Sequence, residues 1–157
     1  MTFTLTSTGF ADGDALPDAQ VQAKGNVSPN LSWSGAPEGT KSFAITCFDP
    51  DAPTGSGFWH WTVANIPADV ADLAEGASSA GLPMGAIEGR TDFGEAGFGG
   101  AAPPQGHGPH RYVFTVFAVD TAALPVTPDN SGAVFGFNLH FRTLAKASIT
   151  ATYETRG

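Results

Sequence analysis

The sequence predicts a mainly β chain, mostly antiparallel, with one late amphipathic helix and long loops. Three observations carry this. Short apolar or alternating runs recur along the chain and are bounded by Pro, Gly, Asn and Asp, as strands are. The 20 glycines and 12 prolines, against only 14 % charged residues, favour tight turns and shaped loops over long helices. Only one stretch, late in the chain, shows apolar residues at helical spacing.

In chain order, Phe3-Thr-Leu-Thr-Ser7 alternates and reads as a half-buried strand. Gly9 to Pro29 reads as loop or edge structure, and Leu31-Ser-Trp33 as a short strand before the turn Gly35–Gly39. Ser42 to Asp49 is apolar on both faces, which marks a central strand, and Pro50 and Pro53 stop it. Phe58 to Asn65 is the next strand, closed by Pro67. Ala68 to Gly106 shows little periodicity, and a loop of that length is usually functional. His110 to Asp120 is the longest strand, again apolar on both faces. Ser131 to Thr143 reads as the helix, with Ser131 as N-cap and Val134, Phe137, Phe141 and Leu144 as its apolar stripe. Ser148 to Tyr153 returns to strand. Residues 1–157 read as a single domain, without repeat or linker.

Charge and cysteine use narrow the partners. A net charge of −8 with scattered basic residues gives no long-range attraction to nucleic acid or to an anionic bilayer. No apolar run approaches the roughly 18 residues a membrane span needs, so no stable insertion is expected. The N-terminus lacks the basic and apolar regions of a signal peptide, and a cytoplasmic location is expected. Cys47, the single cysteine, reads as an inert buried residue.

Strand geometry singles out four polar residues. Asp49 ends a strand. Alternation places Trp59, Trp61 and Val63 on one heavier core face and His60 with Phe58 and Thr62 on the other. It also pairs His110 with Tyr112 and sends Arg111 the other way. One carboxylate, two imidazoles and a phenol suit an anion pocket. A carboxylate beside an imidazole raises its pKa and fixes its tautomer, leaving the outer ring nitrogen as an oriented donor. Gly97–Gly100 and Gly106–Gly108 would let backbone N–H groups approach the ligand. Asp51 reads as a turn-shaping residue, His107 as exposed, His140 as structural, and the three tryptophans as core. A competing reading uses the Asp/His/His set as a facial metal triad or for acid–base hydrolysis. Against hydrolysis, Thr54 and Ser56 lie in a turn with no activating base beside them.

Asp49-Pro-Asp-Ala-Pro53 followed by Phe58-Trp-His-Trp61, and then Pro103-Pro-Gln-Gly-His-Gly-Pro-His-Arg-Tyr112, resemble the two signatures of the phosphatidylethanolamine-binding protein family. Ser28-Pro-Asn-Leu-Ser-Trp33, Thr91-Asp-Phe-Gly94 and Phe98-Gly-Gly100 are similar to its bacterial Raf-kinase-inhibitor-like branch. The likeness runs from about residue 3 to residue 153. It implies a sandwich around a large central sheet and a ligand pocket at Asp49, Pro53, His60, His110 and Tyr112, with Ala102 on the rim. Pro53 matches a proline that is typically cis in the family. Ala101 and Ala102 stand where bacterial relatives often carry Pro-Cys, and Trp59 where eukaryotic members often carry a histidine. The resemblance implies a non-enzymatic binding protein for phosphate, phosphorylated headgroups or carboxylates, without cofactor or metal. It also implies a protein target, a kinase or protease held by binding, and a homodimer, which occurs among bacterial relatives.

Overall fold

The computed structural model describes residues 2–156. Among the described residues eight strands form two antiparallel sheets, and the elements expected from the sequence follow in their expected order. The first strands are β1 (Thr4–Thr6), β2 (Leu31–Ser34), β3 (Ser42–Asp49) and β4 (Phe58–Pro67). Then come β5 (Asp72–Leu73), the short helix α1 (Ala77–Ala80) and β6 (Ile87–Glu88). The chain closes with β7 (His110–Val119), α2 (Gly132–His140) and β8 (Thr143–Tyr153). The small sheet has the order β1-β2-β5, and the large sheet β6-β4-β3-β7-β8.

The large sheet is buried on both faces, as apolar runs on β3 and β7 require. Phe43, Ile45 and Cys47 of β3 join Phe114, Val116 and Ala118 of β7 in the core shared with Leu5, Leu31 and Trp33 of the small sheet. Ala44 and Val119 point the other way, into a second cluster with Phe135 and Leu139 of α2. The molecule therefore has three layers: small sheet, large sheet, helix.

Two expectations are corrected here. The segment from Ala68 to Gly106 is not one structureless loop, because β5 pairs with β2 and β6 with β4 inside it. The helix ends at His140 rather than Thr143, and it buries a different face. Phe135 and Leu139 go inward, while Val134, Phe137 (67 % exposed), Phe141 (66 %) and Leu144 face solvent. The sequence Gly132-Ala-Val-Phe-Gly-Phe-Asn-Leu-His140 is apolar nearly all round, so periodicity alone does not choose a face. Close approach chooses it. A Cβ on Gly132 would stand 2.2 Å from Trp59 Cγ, so the helix packs with Gly132 against that indole. The expected N-cap is present, with the Ser131 hydroxyl accepting from the Val134 N–H.

Candidate functional site

All four polar residues that alternation singled out reach one end of the large sheet. Asp49 closes β3, His60 lies near the start of β4, and His110 and Tyr112 begin β7. They line a cavity of about 220 Å³ together with Pro53 and Ala102. The rest of its wall is largely apolar, from Ala52, Phe58, Phe93 and Pro104. Asp49, His60, His110 and Tyr112 are all buried in the protein.

His60 does not arrive there by alternation. Cys47 of β3 pairs with Trp61 and Phe48 pairs with Trp59, which leaves His60 as the extra residue of a β-bulge. The bulge splits the tryptophans that strict period-2 reading puts together. Trp61 enters the core between the sheets. Trp59 turns to the α2 side, where it lines a groove with Thr46 and Leu139. Thr62 also lies on that side, its Oγ1 close to Gly89 and the Phe135 ring. Without the extra residue, His60 would share the face of Thr62 and miss the cavity.

The loop carrying Asp92 and Gly99 grips the bulge. Trp59 N–H donates to Asp92 Oδ2 at 2.8 Å, and Asp92 N–H donates to Trp59 O at 3.0 Å. Gly99 N–H donates to His60 O at 2.9 Å, and His60 Nδ1–H donates back to Gly99 O at 2.8 Å. Gly99 must be glycine here, because a Cβ would lie 2.5 Å from the Phe93 ring. These contacts correct the expected use of the glycines. Gly97 N–H goes to Gly89 O and Gly100 N–H to Asn26 Oδ1, so this loop spends its donors on protein acceptors, Gly99 on His60 itself. Gly106 and Gly108 adopt positive φ but do not line the cavity.

The two histidines have different partners. A backbone carbonyl can only accept, so the His60 proton sits on Nδ1 and its outer nitrogen Nε2 is bare when the ring is neutral. The ring lies among Phe58, Phe93 and Tyr112 at centroid distances of 4.9, 5.4 and 5.2 Å. Burial there pushes the His60 pKa below 6.5, outweighing the Gly99 carbonyl and the Asp49 charge. The outer nitrogen of His60 is thus an acceptor, not the donor expected from a carboxylate-backed imidazole.

His110 does have that carboxylate: its Nδ1–H donates to Asp49 Oδ2 at 2.7 Å. Its Nε2 meets His107 Nδ1 at 2.6 Å. His107 is exposed, as expected, but its contact with His110 was not foreseen. The three-residue spacing across Gly108-Pro109 was the available signal, since a turn there brings the rings together.

Tyr112 carries an unspent hydroxyl. The residue is 1 % exposed, and its OH has no hydrogen-bond partner among the described residues. Burial first, then the Asp49 charge, push its phenol pKa well above the ordinary value, so it remains a donor. Phe93 is the main wall residue that strand reading missed, because its position comes from the loop.

Arg111 points away, as alternation requires. It is exposed and forms a two-pronged pair with Asp51, Nε to Oδ2 at 3.0 Å and Nη2 to Oδ1 at 2.9 Å. The guanidinium holds the Asp51 carboxyl down to about 2. Asp51 also donates its N–H to Asp49 Oδ1 at 2.7 Å, so it shapes the turn and does not line the cavity. Pro53 lines the cavity through a trans bond; among the described residues no peptide bond is cis. The trans form is intrinsically preferred, and Gly55 and Gly57 at positive φ turn the chain without a cis bond. Among the described residues no three His, Cys, Asp or Glu side chains converge to hold a metal ion. Cys47 is buried and its thiol is pushed up by that burial and by Asp49. None of the described helices is long and apolar enough to cross a membrane.

Comparison with known proteins follows the same lines. A family profile described as "Phosphatidylethanolamine-binding protein" matches residues 6–154. The chain is 51 % identical to the UPF0098 protein YbhB of Escherichia coli (strain K12), over 96 % of this chain and 99 % of that protein. It is also 51 % identical to YbcL of the same organism, over 98 % of this chain and 88 % of that protein. The crystal structure of E. coli YbcL, described as a new member of the mammalian PEBP family, superposes with a TM-score of 0.95 and covers 98 % of each chain. A putative phosphatidylethanolamine-binding protein homolog, CT736 of Chlamydia trachomatis, gives a TM-score of 0.84 at 29 % identity, covering 98 % of this chain and 97 % of that one.

Proposed function

The chain belongs to the phosphatidylethanolamine-binding protein family, and from that premise we propose that its cavity binds small oxyanions, phosphate or phosphorylated groups first among them. The observation that carries this is the Tyr112 hydroxyl. It is buried, unpartnered and at the cavity wall, an arrangement that costs about 1–3 kcal/mol unless a ligand accepts from it. The buried Asp49–His110 pair beside it is a second support, since it holds an imidazole in one tautomer at the cavity floor. Binding rather than catalysis is favoured because the nearby Thr54 hydroxyl donates to Gly57 O and has no base against it. An interaction with a kinase or protease target would be a further use of the same fold, in keeping with the family.

The test is a titration of the protein with inorganic phosphate and phosphoethanolamine, followed by NMR. Saturable shifts at His60, His110 and Tyr112 are expected. Tyr112→Phe should weaken binding about tenfold or more, the loss of one hydrogen bond to a charged group. No shift at millimolar ligand overturns the proposal.

A further inference from the structure

The cavity's donors and acceptors are unequal, and the inequality names a ligand class within the oxyanions proposed above. Five of its lining side chains are polar: Asp49, Thr54, His60, His110 and Tyr112. Thr54 donates its hydroxyl proton to Gly57 O. His110 donates Nδ1–H to Asp49, and its Nε2 is taken by His107. Asp49 offers only lone pairs. His60 has spent its Nδ1–H on Gly99 O, so its Nε2 presents a lone pair. The rim residues Pro53 and Pro104 have no N–H, the N–H groups of Gly99 and Gly100 are committed elsewhere, and the Ala102 N–H is directed at the Tyr112 oxygen. Of these side chains, only Tyr112 keeps a donor free, and His60 and Asp49 supply acceptors.

A fully deprotonated oxyanion fits this set badly. It would set its own lone pairs against His60 Nε2 and its charge against the Asp49 carboxylate. A phosphomonoester monoanion fits. One P–O⁻ accepts from Tyr112, and the P–OH donates to His60 Nε2. We infer that the site selects the protonated monoanion of a phosphomonoester, or inorganic phosphate of the same ionisation, over phosphodiesters and sulfate. The second phosphate proton titrates near about pH 6, so such an O–H survives under mild conditions. A phosphodiester or sulfate has no proton to bring there. It can bind only when His60 is itself charged.

Charging His60 is opposed by its surroundings. Phe58, Phe93 and Tyr112 desolvate the ring, and this outweighs the Gly99 and Gly100 carbonyls and the Asp49 and Asp92 charges, which favour the cation. His107 and His110 are the other titratable groups at this end, and they face each other and Asp49. The apolar wall of Phe58, Phe93 and Pro104 leaves room for the ester substituent.

The experiment is a titration of the whole chain at pH 6 with inorganic phosphate, methyl phosphate, dimethyl phosphate and sulfate, read by NMR or calorimetry. Methyl phosphate and inorganic phosphate should each bind about tenfold or more tightly than dimethyl phosphate and sulfate. The gap should close as pH falls and His60 takes up its own proton. His60→Asn keeps a donor for Gly99 O but removes the outward acceptor, and its preference for the monoester should vanish. In the unaltered protein, ¹⁵N NMR should show His60 with the proton on Nδ1 alone. Equal affinity for methyl and dimethyl phosphate at pH 6 overturns the inference while leaving an oxyanion site in place. Failure of all four to bind overturns the oxyanion reading itself, and the inference with it.

Discussion

The two faces of the large sheet solve the same packing problem by different means. Toward the small sheet, the face is apolar along most of its length and ends in a knot of buried polar groups: Asp49, His60, His110 and Tyr112. Toward α2, the face is closed mainly by Ala44, Ala64, Val119, Phe135 and Leu139, with the Thr62 hydroxyl buried beside them. On the first face, direction matters: the His60 and His110 Nδ1–H groups each have one acceptor placed within a hydrogen-bond length, and the Tyr112 hydroxyl has none. On the second, shape matters: a missing Cβ at Gly132 sets where the helix lies on Trp59. A polar site therefore tolerates little change of chemistry, and the helix contact little change of volume.

Three experiments put that contrast under strain, in order of expected effect. Asp49→Ala removes the acceptor for both His110 Nδ1–H and the Asp51 N–H. Each buried donor left unpaired costs about 1–3 kcal/mol, and chemical denaturation should show the midpoint falling with little change in slope.

On the helix face, Gly132→Ala forces a methyl into the Trp59 indole and should cost about 1–3 kcal/mol. Gly136, one turn on, has nothing within 4 Å of such a methyl. Gly136→Ala should instead stabilise by about 0.5–1 kcal/mol through helix propensity. Thermal melts of the pair check both signs. Equal effects would mean that the face of α2 is not set by the Gly132–Trp59 contact.

The smallest effect is a pH dependence on the polar face. Burial holds the folded His60 pKa below its ordinary 6.5. The unfolded chain therefore binds the proton first as pH drops. Its neutral burial contributes stability that is whole above pH 6.5 and is lost as pH falls below that, toward the folded value. Denaturant midpoints measured downward from pH 7 should decline, and His60→Asn should flatten that part of the decline.

Much of this was legible in the residues. Chain order, strand identity and the central place of β3 and β7 follow from apolar runs bounded by Pro and Gly. The grouping of His110 with Tyr112, and the exclusion of Arg111, follow from alternation at the start of β7, where its register is regular. The conformation of Pro53, the face of α2 and the donor role given to His60 were read differently from what the structure shows. The last two depend on contacts between segments far apart in the chain, Gly132 with Trp59 and His60 with Gly99.

Local sequence by itself determined which segments become strands, because period and composition are properties of neighbouring residues. It also brought Asp49, His110 and Tyr112 to strand ends on one side of the sheet. Only the tertiary structure decided that His60 joins them, because the extra residue of its bulge is defined by pairing with β3 and held by a loop some 39 residues away. The same Gly99 carbonyl fixes the tautomer of His60. With it, an imidazole that strand geometry would offer as a donor becomes the acceptor of the site.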